Sequence, residues 1–241
     1  MNSTSRLPRL ALVCGVSRLD ILQHRLAMSP CLQRGGMPWS ASFNAASAAA
    51  AFNAMLDSRP EADWLIWAHQ DVYLPEGWAP RFAQALQEAM SRWPRLAVAG
   101  VYGLHGRGAS ARRAGHVLDR GRLLREPEPL PCRADSLDEL LLAVRIDSGL
   151  RMDPALGFDF YATDLVLQAR RQGLAAAVLD AYCEHWSDTP TAAPLPFGLV
   201  KRIGASAAVF EHKWARELPV TTPCFEIDRK GAVDRFFESL K

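Results

Sequence analysis

A histidine and an aspartate stand two residues apart at the end of one apolar segment, and this pair is the first candidate for chemistry. The segment Trp64–Ala68 is apolar, and His69 and Asp71 follow it. In an extended chain, side chains two residues apart point to the same face. One carboxylate and one further donor are enough for a hard divalent cation that also binds diphosphate oxygens and water. The residues alone leave open a simpler alternative, a polar strand end before the turn at Pro75 and Gly77.

A second candidate is Asp164, which falls in the first turn of a predicted helix. The apolar spacing predicts a helix over Ala162–Gln172 that stops at Gly173. An aspartate in this position interacts favourably with the positive end of the helix. The same aspartate, projecting into a cleft, is suited to act as a general base that takes a proton from an acceptor hydroxyl. Both interpretations stay open on the residues.

His185 is the third candidate. It lies within Tyr182–Ser187, which directly follows a predicted strand over Ala175–Leu179. An imidazole at this sheet edge can close over a diphosphate as a metal ligand, although an isolated histidine also serves purely structural roles.

Apolar segments and helical segments alternate along the chain, and this alternation predicts the elements that hold the candidates. It is typical of an α/β fold with a mostly parallel sheet flanked by helices. The predicted strands are Leu10–Val16, Trp64–Ala68, Leu96–Tyr102, Leu140–Ile146 and Ala175–Leu179. The predicted helices are Asn44–Leu56, Pro80–Arg92, Ala162–Gln172 and Ala205–Arg216.

The carboxyl ends of these strands predict where a ligand binds. Sheets of this kind bind ligands at that edge, which points to Val16 with Ser17, to His69–Asp71 and to Gly103. The arginine-rich stretch Gly106–Arg125 interrupts the alternation and predicts a hairpin or flap over one edge of the sheet. Its arginines are suited to phosphates, and a solvated loop is the alternative.

The order of several short motifs resembles the GT-A fold of glycosyltransferases. The resemblance is to the inverting, family-two type and, more closely, to a glycosyltransferase-like branch associated with aminoglycoside-biosynthesis proteins. It covers most of residues 8–190 and continues into a Lys-Trp pair near the end of the chain. The matching segments are Ala46–Leu56, His69–Asp71, Val98–Gly103, Leu137–Arg145, Phe160–Arg171, His185–Ser187 and Lys213 with Trp214.

This resemblance implies a role for each candidate. Asp71 binds a divalent cation, Mg²⁺ or Mn²⁺, and the donor diphosphate, and His185 is a late metal or phosphate ligand. Asp164 matches the catalytic base. The remaining donor contacts implied by the resemblance and by the strand ends are Val16, Ser17, Asn53 and Gly103.

Two positions depart from the pattern. His69 stands where the metal motif usually has its first aspartate, so the site loses one negative charge and gains an imidazole as a further metal ligand. That change either shifts the expected metal preference towards manganese or weakens metal binding altogether. Thr163 stands where a glutamate usually precedes the base.

Composition excludes several other classes of protein. The chain has 241 residues, 49% hydrophobic and 22% charged, as expected for a globular protein. A net charge of +2 gives no reason to expect nucleic acid or a membrane surface as partner. The five cysteines form no CxxC pair, so neither a zinc knuckle nor a disulfide framework is predicted. With no stretch long enough to span a membrane, the protein is expected to be soluble and cytoplasmic.

These observations predict a GT-A-like domain over residues 8–190 and a helical C-terminal extension over 191–241 that packs on it. The predicted function is inverting transfer of a sugar from a nucleotide-diphosphate donor to an unidentified hydroxyl acceptor. One alternative is a non-catalytic sugar-nucleotide-binding or partner-binding module on the same fold. A nucleotidyltransferase is less favoured, because Cys14–Asp20 contains one glycine and no glycine-rich phosphate loop.

Overall fold

The computed structural model describes residues 6–187 and 195–239, which form an α/β fold on two main sheets. The strands are β1 (Leu10–Val16), β2 (Trp39–Phe43), β3 (Trp64–His69), β4 (Val72–Tyr73), β5 (Leu96–Gly100), β6 (Tyr102–His105), β7 (Arg112–Asp119), β8 (Arg122–Arg125), β9 (Cys132–Arg133), β10 (Ser136–Leu137), β11 (Leu141–Arg145), β12 (Ala175–Val178), β13 (Cys183–His185), β14 (Val220–Thr221) and β15 (Glu226–Ile227). The α-helices are α1 (Leu19–His24), α2 (Ala48–Asp57), α3 (Trp78–Arg92), α4 (Tyr161–Arg171), α5 (Phe197–Lys213) and α6 (Ala232–Glu238).

The central sheet has the strand order β2-β1-β3-β11-β5-β12-β9 within the described residues. Strands β1, β2 and β3 run parallel, as do β5 and β12, while β11 is antiparallel to both of its neighbours. The predicted α/β class is confirmed, and the sheet is mixed because β11 runs against the strands beside it. The β5 and β12 strands are buried along their whole length, as expected where helices cover both faces.

Alternation along β1 and β3 assigns the helices to the two faces. Leu12, Trp64 and Ile66 pack on one face with the apolar side of α3. Val13 and Trp67, whose side chains point the other way, pack with α2 and α4. The loops that leave the carboxyl ends of β1 and β3 are therefore held from both faces of the sheet.

Several predicted elements have different bounds in the structure, among them a helix and a strand near the site. The predicted helix Asn44–Leu56 begins later, at Ala48, because the Ser47 side chain caps it by accepting from the Ala50 N–H at 3.0 Å. The predicted strand Leu96–Tyr102 is divided between the two sheets, since β5 ends at Gly100 and β6 starts at Tyr102.

The second sheet has the order β10-β6-β7-β13-β4, with β8 paired to β7. The predicted hairpin within Gly106–Arg125 is present as β7 and β8. It is more than a flap, because β7 lies inside this sheet between β6 and β13. The segment that carries His185 is β13, and it runs parallel to β7 and antiparallel to β4.

The C-terminal segment packs on the rest of the fold through its own apolar cluster. Phe210 and Trp214 of this segment are buried together with Leu156, Phe160 and Leu167. Helix α5 starts well before the predicted Ala205, and the β14–β15 pair separates it from α6. The predicted boundary between residues 190 and 191 lies outside the described residues. Among the described helices, none combines the length and the apolar character needed to cross a bilayer.

Candidate metal and donor-binding site

His69, Asp71 and His185 come together at the junction of the two sheets. One ligand atom from each lies within 4.8 Å of the others. His69 is the last residue of β3 and Asp71 follows in the turn to β4, while His185 ends β13 and pairs with Val72 of β4. The backbone N–H of Trp186 also donates to the Asp71 carbonyl at 2.8 Å. The short antiparallel pairing of β4 with β13 therefore brings together residues more than a hundred positions apart in the sequence.

His185 is oriented by a carboxylate that the sequence did not single out. Its Nδ1 lies 2.8 Å from Oδ1 of Asp119, and its Nε2 lies 3.3 Å from Oδ1 of Asp71. Asp119 ends β7 and is the register partner of His185. Burial disfavours the charged imidazole, but hydrogen bonds to Asp119 and Asp71 outweigh it and raise the pKa of His185 to about 9. An imidazole held at one nitrogen by a carboxylate presents the other to a metal, as histidine ligands in metal sites do.

His69 is fixed by a buried tyrosine. Its Nε2 lies 3.0 Å from the Tyr161 hydroxyl, which accepts from Trp67 Nε1 at 2.9 Å and donates to the Glu139 carbonyl at 3.1 Å. The single hydroxyl proton is thus used, so the His69 Nε2–H donates to the tyrosine oxygen and Nδ1 keeps its lone pair. Burial lowers the pKa of His69, and the neighbouring His185 lowers it further. A neutral imidazole with a free Nδ1 is suited to coordinate a cation.

The residues of this cluster fit a divalent cation. Burial raises the pKa of Asp71, but hydrogen bonding and the charge of His185 outweigh it and hold the pKa below its usual value, so the carboxylate is ionised. Two imidazoles and one carboxylate suit a first-row transition metal such as Mn²⁺ better than Mg²⁺, which prefers oxygen ligands. His69, predicted here as a departure from an all-carboxylate motif, belongs to the same cluster.

A smaller cavity of about 400 Å³ lies at the carboxyl ends of β1, β2 and β3. Val16, Ser17 and Asp71 line it, which is where the sequence placed donor contacts. Gln70 shapes this cavity, since its Oε1 accepts from the N–H groups of Ser17 and Arg18, each at 3.1 Å, and its Nε2 donates to the Ser17 hydroxyl at 3.0 Å. Gln70 was not predicted as a site residue, and its place between His69 and Asp71 was the one indication available from the sequence.

A larger cavity of about 580 Å³ also borders the cluster, and His69 lines both cavities. Its apolar wall includes Phe225, Phe236 and Phe237 from the C-terminal segment. Its ionisable lining residues are His69, Tyr102, Arg113, Asp119, Arg120, Asp138, Glu139, Asp159, His185 and Cys224. Two of its four acidic residues, Asp138 and Glu139, lie within a segment that matched the family pattern, but none of the four was predicted as a site residue.

Arg202 and Asp159 connect the two cavities. Arg202, on α5, lines the smaller cavity and donates two hydrogen bonds of 3.0 Å to Asp159, which lines the larger one. Planar pairing of this kind fixes both groups. Arg202 lies beyond the segments on which the sequence-based prediction rested, so no sequence signal identified it.

Asp164 is not part of the cluster. Its carboxylate is fully buried and accepts from Trp214 Nε1 at 2.8 Å and Gln168 Nε2 at 2.6 Å, with Lys213 Nζ at 2.7 Å. It lines neither cavity. This placement corrects the expectation that Asp164 projects into a cleft, because its hydrogen bonds tie α4 to α5. The Lys-Trp pair in the sequence was the signal for this structural role.

Two further predicted donor contacts also lie outside both cavities. The Asn53 side chain donates to the Met152 carbonyl at 2.8 Å and accepts from the Met152 N–H at 3.1 Å, so it holds a loop. Gly103 lies against β10, where an added Cβ would sit 2.3 Å from the Ser136 carbonyl oxygen. A close backbone approach therefore accounts for this glycine. Thr163, buried beside Ser136 with their hydroxyls 2.8 Å apart, lines the larger cavity.

The arginine-rich hairpin contributes two of its arginines, Arg113 and Arg120, to the larger cavity. Arg113 lines it and donates to the Pro223 carbonyl at 2.9 Å, which ties β7 to the C-terminal segment. Arg112 is largely exposed and lines neither cavity.

Comparison with solved structures identifies the architecture. The mannosyltransferase PcManGT of Pyrobaculum calidifontis, solved with GDP-Man and Mn²⁺, superposes with a TM-score of 0.53 over 89% of this chain and 65% of its own, at 9% identity. GalNAc-T7, solved with UDP, GalNAc and Mn²⁺, gives 0.52 over 88% of this chain and 51% of its own, at 10% identity. The fold is of the GT-A type. At such low identity the likeness establishes the GT-A fold alone, and this chain spans about half to two thirds of each protein.

Sequence comparison gives little information beyond the fold. No family model matches the chain. One curated protein, named "ATP synthase subunits region ORF 6" from Fuscovulum blasticum, is 34% identical over 140 residues, which is 53% of this chain and 53% of that protein.

Proposed function

We propose that this protein is a metal-dependent, inverting glycosyltransferase that uses a nucleotide-diphosphate sugar. The observation that carries the proposal is that the cluster of His69, Asp71 and His185 lies where a smaller cavity of mixed polar and apolar lining meets a larger, mostly apolar cavity. Two substrates that react at one centre need two such spaces. The GT-A proteins of similar structure were solved with GDP-Man or UDP and with Mn²⁺, which supports a nucleotide-sugar donor. The family-two-like branch inferred from the motifs stays a prediction.

In this proposal the smaller cavity binds the nucleotide and its diphosphate. Val16 and Ser17 contact the nucleoside, and Gln70 holds their backbone in place. Asp71, His69 and His185 hold the cation, whose chemistry when bound is to neutralise charge on the departing nucleoside diphosphate. Arg202 is a second cation at this cavity and, kept in position by Asp159, is suited to a phosphate oxygen.

The larger cavity holds the acceptor. Inverting displacement needs the acceptor oxygen on the face of the sugar opposite the departing phosphate, with a base to take its proton. His69 lines both the smaller and the larger cavity, so the two spaces meet at this residue. Because Asp164 is buried between α4 and α5, the base in this proposal is one of the carboxylates that line the larger cavity.

A thermal-shift titration tests the proposal. We expect GDP, UDP or CDP to raise the melting temperature in the presence of Mn²⁺ and much less without it. Asp71→Asn should lose at least about 100-fold in Mn²⁺ affinity, since even outer partners of metal ligands contribute 10- to 100-fold. Asp57→Asn, an exposed aspartate of α2 paired with Arg151, is the matched control and should behave as the unaltered protein. Stabilisation that ignores both Mn²⁺ and Asp71 would contradict the proposal.

A non-catalytic sugar-nucleotide-binding module is the second candidate. It is favoured by the burial of Asp164, which leaves α4 without an open carboxylate. Donor hydrolysis in the presence of Mn²⁺ distinguishes the two, because a module binds the nucleotide sugar without releasing nucleoside diphosphate. Release of nucleoside diphosphate that is lost in Asp71→Asn supports the enzyme.

A further inference from the structure

Glu139 is a buried carboxyl whose structural role is not explained by its contacts. It lies between β10 and β11 and lines the larger cavity together with His69. Its Oε1 is buried and has no hydrogen-bond partner among the described residues. An unsatisfied buried oxygen costs stability and is rare in native proteins, so its presence calls for an explanation.

The other carboxylates of the larger cavity are committed to partners. Asp119 is bound to His185, Asp159 to Arg202 and Ser206, and Asp138 accepts from the Leu140 N–H at 3.0 Å. Glu139 differs from these three because one of its oxygens is buried without a hydrogen-bond partner among the described residues, so this oxygen is available to a ligand.

The surroundings of Glu139 make its carboxylate a strong base. Burial raises the pKa of Glu139 well above its usual value, and the charges of Asp159 and Asp138 raise it further. The backbone N–H groups of Tyr161 and Ala162, at the start of α4, partly oppose this shift. The nearby Tyr161 side chain stays neutral, since burial and the charge of Glu139 raise its pKa. A base is most effective when its pKa is close to the working pH, well above that of an exposed glutamate.

Part of the wall of the larger cavity is apolar. Phe225 packs edge-on against Phe236 and Phe237, with ring centroids 5.3 and 5.8 Å apart, and these rings line the cavity with Phe160 and Ile203. Phe236 is 44% exposed, so the apolar wall reaches the surface. A molecule that fills this cavity has a polar group at the cluster and Glu139 and an apolar body against the rings.

We propose that the larger cavity binds an acceptor with an aromatic or alkyl body, and that Glu139 takes the proton of its hydroxyl group. The inference rests on the proposed glycosyl transfer. In the step, the acceptor oxygen forms a bond to the anomeric carbon while the bond from that carbon to the phosphate oxygen breaks. The electron pair of the broken bond leaves with the nucleoside diphosphate, and the hydroxyl proton passes to the Glu139 carboxylate and then to water.

Two model alcohols test the acceptor class. GDP-mannose and UDP-linked sugars are supplied with Mn²⁺, and benzyl alcohol is compared with glycerol at equal concentration by mass spectrometry of the glycoside. Benzyl alcohol should be the better acceptor by roughly tenfold, because one additional apolar contact in a pocket changes the rate of transfer by about that factor. Phe236→Ala should bring the ratio of the two rates towards one. Equal rates in the unaltered protein would overturn the acceptor class.

Glu139→Gln tests the proton transfer. This variant should lose roughly 100-fold or more in transfer to benzyl alcohol and to water, while GDP or UDP with Mn²⁺ still raises its melting temperature. Azide has no proton to lose, so it should restore donor consumption in Glu139→Gln and yield a glycosyl azide. Glu88→Gln, on the exposed face of α3, is the matched control and should transfer at the unaltered rate.

The outcomes separate the two proposals. If the unaltered protein binds no nucleoside diphosphate with Mn²⁺, the glycosyltransferase function fails and this inference fails with it. If the unaltered protein turns over donor and Glu139→Gln does so equally well, or if azide does not restore that variant, the role of Glu139 alone is overturned.

Discussion

The smaller and the larger cavity differ in how the chain builds them. The smaller cavity is formed largely by turns that follow β1, β2 and β3, where parallel strands present loop backbone and short polar side chains. The larger cavity is formed by the second sheet, the start of α4 and the C-terminal segment, and its walls are mostly large apolar side chains. The first follows from a general property of α/β sheets, while the second depends on the particular packing of this chain. Under the proposed function, the smaller cavity carries the donor chemistry and the larger cavity sets the specificity for the acceptor.

The largest effect is expected from a residue that belongs to neither cavity. Asp164→Ala removes a fully buried carboxylate, leaves Trp214 Nε1 without its acceptor and takes away one of the two carboxylates paired with Lys213. Loss of one partner from a buried charged network costs about 3–5 kcal/mol. Chemical denaturation should show this loss in the free energy of unfolding, while folded Asp164→Ala still binds nucleoside diphosphate with Mn²⁺. If Asp164→Ala instead keeps its stability and loses turnover alone, Asp164 is catalytic and the assignment of the cavities is wrong.

An intermediate effect is expected where the two cavities share a cluster. Asp119→Asn weakens the hydrogen bond that orients His185. It also removes the negative charge that attracts the His185 imidazole. Outer partners of metal-binding histidines contribute 10- to 100-fold, so Mn²⁺ affinity should fall by about that factor in isothermal titration. Asp57→Asn again serves as the control. An unchanged affinity would show that His185 is not a ligand.

The smallest effect concerns stability and pH. Folding raises the pKa of Glu139 above its unfolded-state value of 4.5. The unaltered protein therefore loses stability as the pH rises from 4.5 to the folded-state pKa, and its stability is not reduced further by this group at higher pH. Glu139→Gln does not titrate, so its stability relative to the unaltered protein should increase over the same interval. Gln keeps a buried polar group at this position, so the gain comes from removing the charge alone and should be absent at pH values well below 4.5.

Melting temperatures of both proteins at pH 5 and pH 8 check this prediction. The difference between them should be larger at pH 8. The groups that interact electrostatically with Glu139 are Asp138, Asp159, the Tyr161 hydroxyl and the Cys224 thiol, and all four are present in both proteins. A difference that shrinks with rising pH would show that Glu139 is ionised in the folded protein and stabilises it.

The sequence determined those features that depend on neighbours along the chain. The apolar segments predicted β1 over its full length and β3 to within one residue, and spacing put His69 and Asp71 on one face of a strand end. The order of the motifs indicated the GT-A fold and added His185 to the cluster. Local periodicity is enough to predict the strands and the shared face of His69 and Asp71. The GT-A fold and the role of His185 needed the resemblance of several ordered motifs to a known family.

Tertiary structure decided which carboxylates face the cavities and which are sealed. Asp119 reaches His185 across 66 positions, and Trp214 covers Asp164 across 50. A first-turn aspartate has the same local sequence whether it faces a cleft or a tryptophan, and the choice depends on where α5 packs. Glu139 likewise had no signal in its surroundings along the chain, because its burial and its unpaired oxygen result from the meeting of α4, β11 and the C-terminal segment. Long-range packing sets the desolvation and the partners of a charged group, and these two quantities decide whether it stabilises the fold or remains free to react.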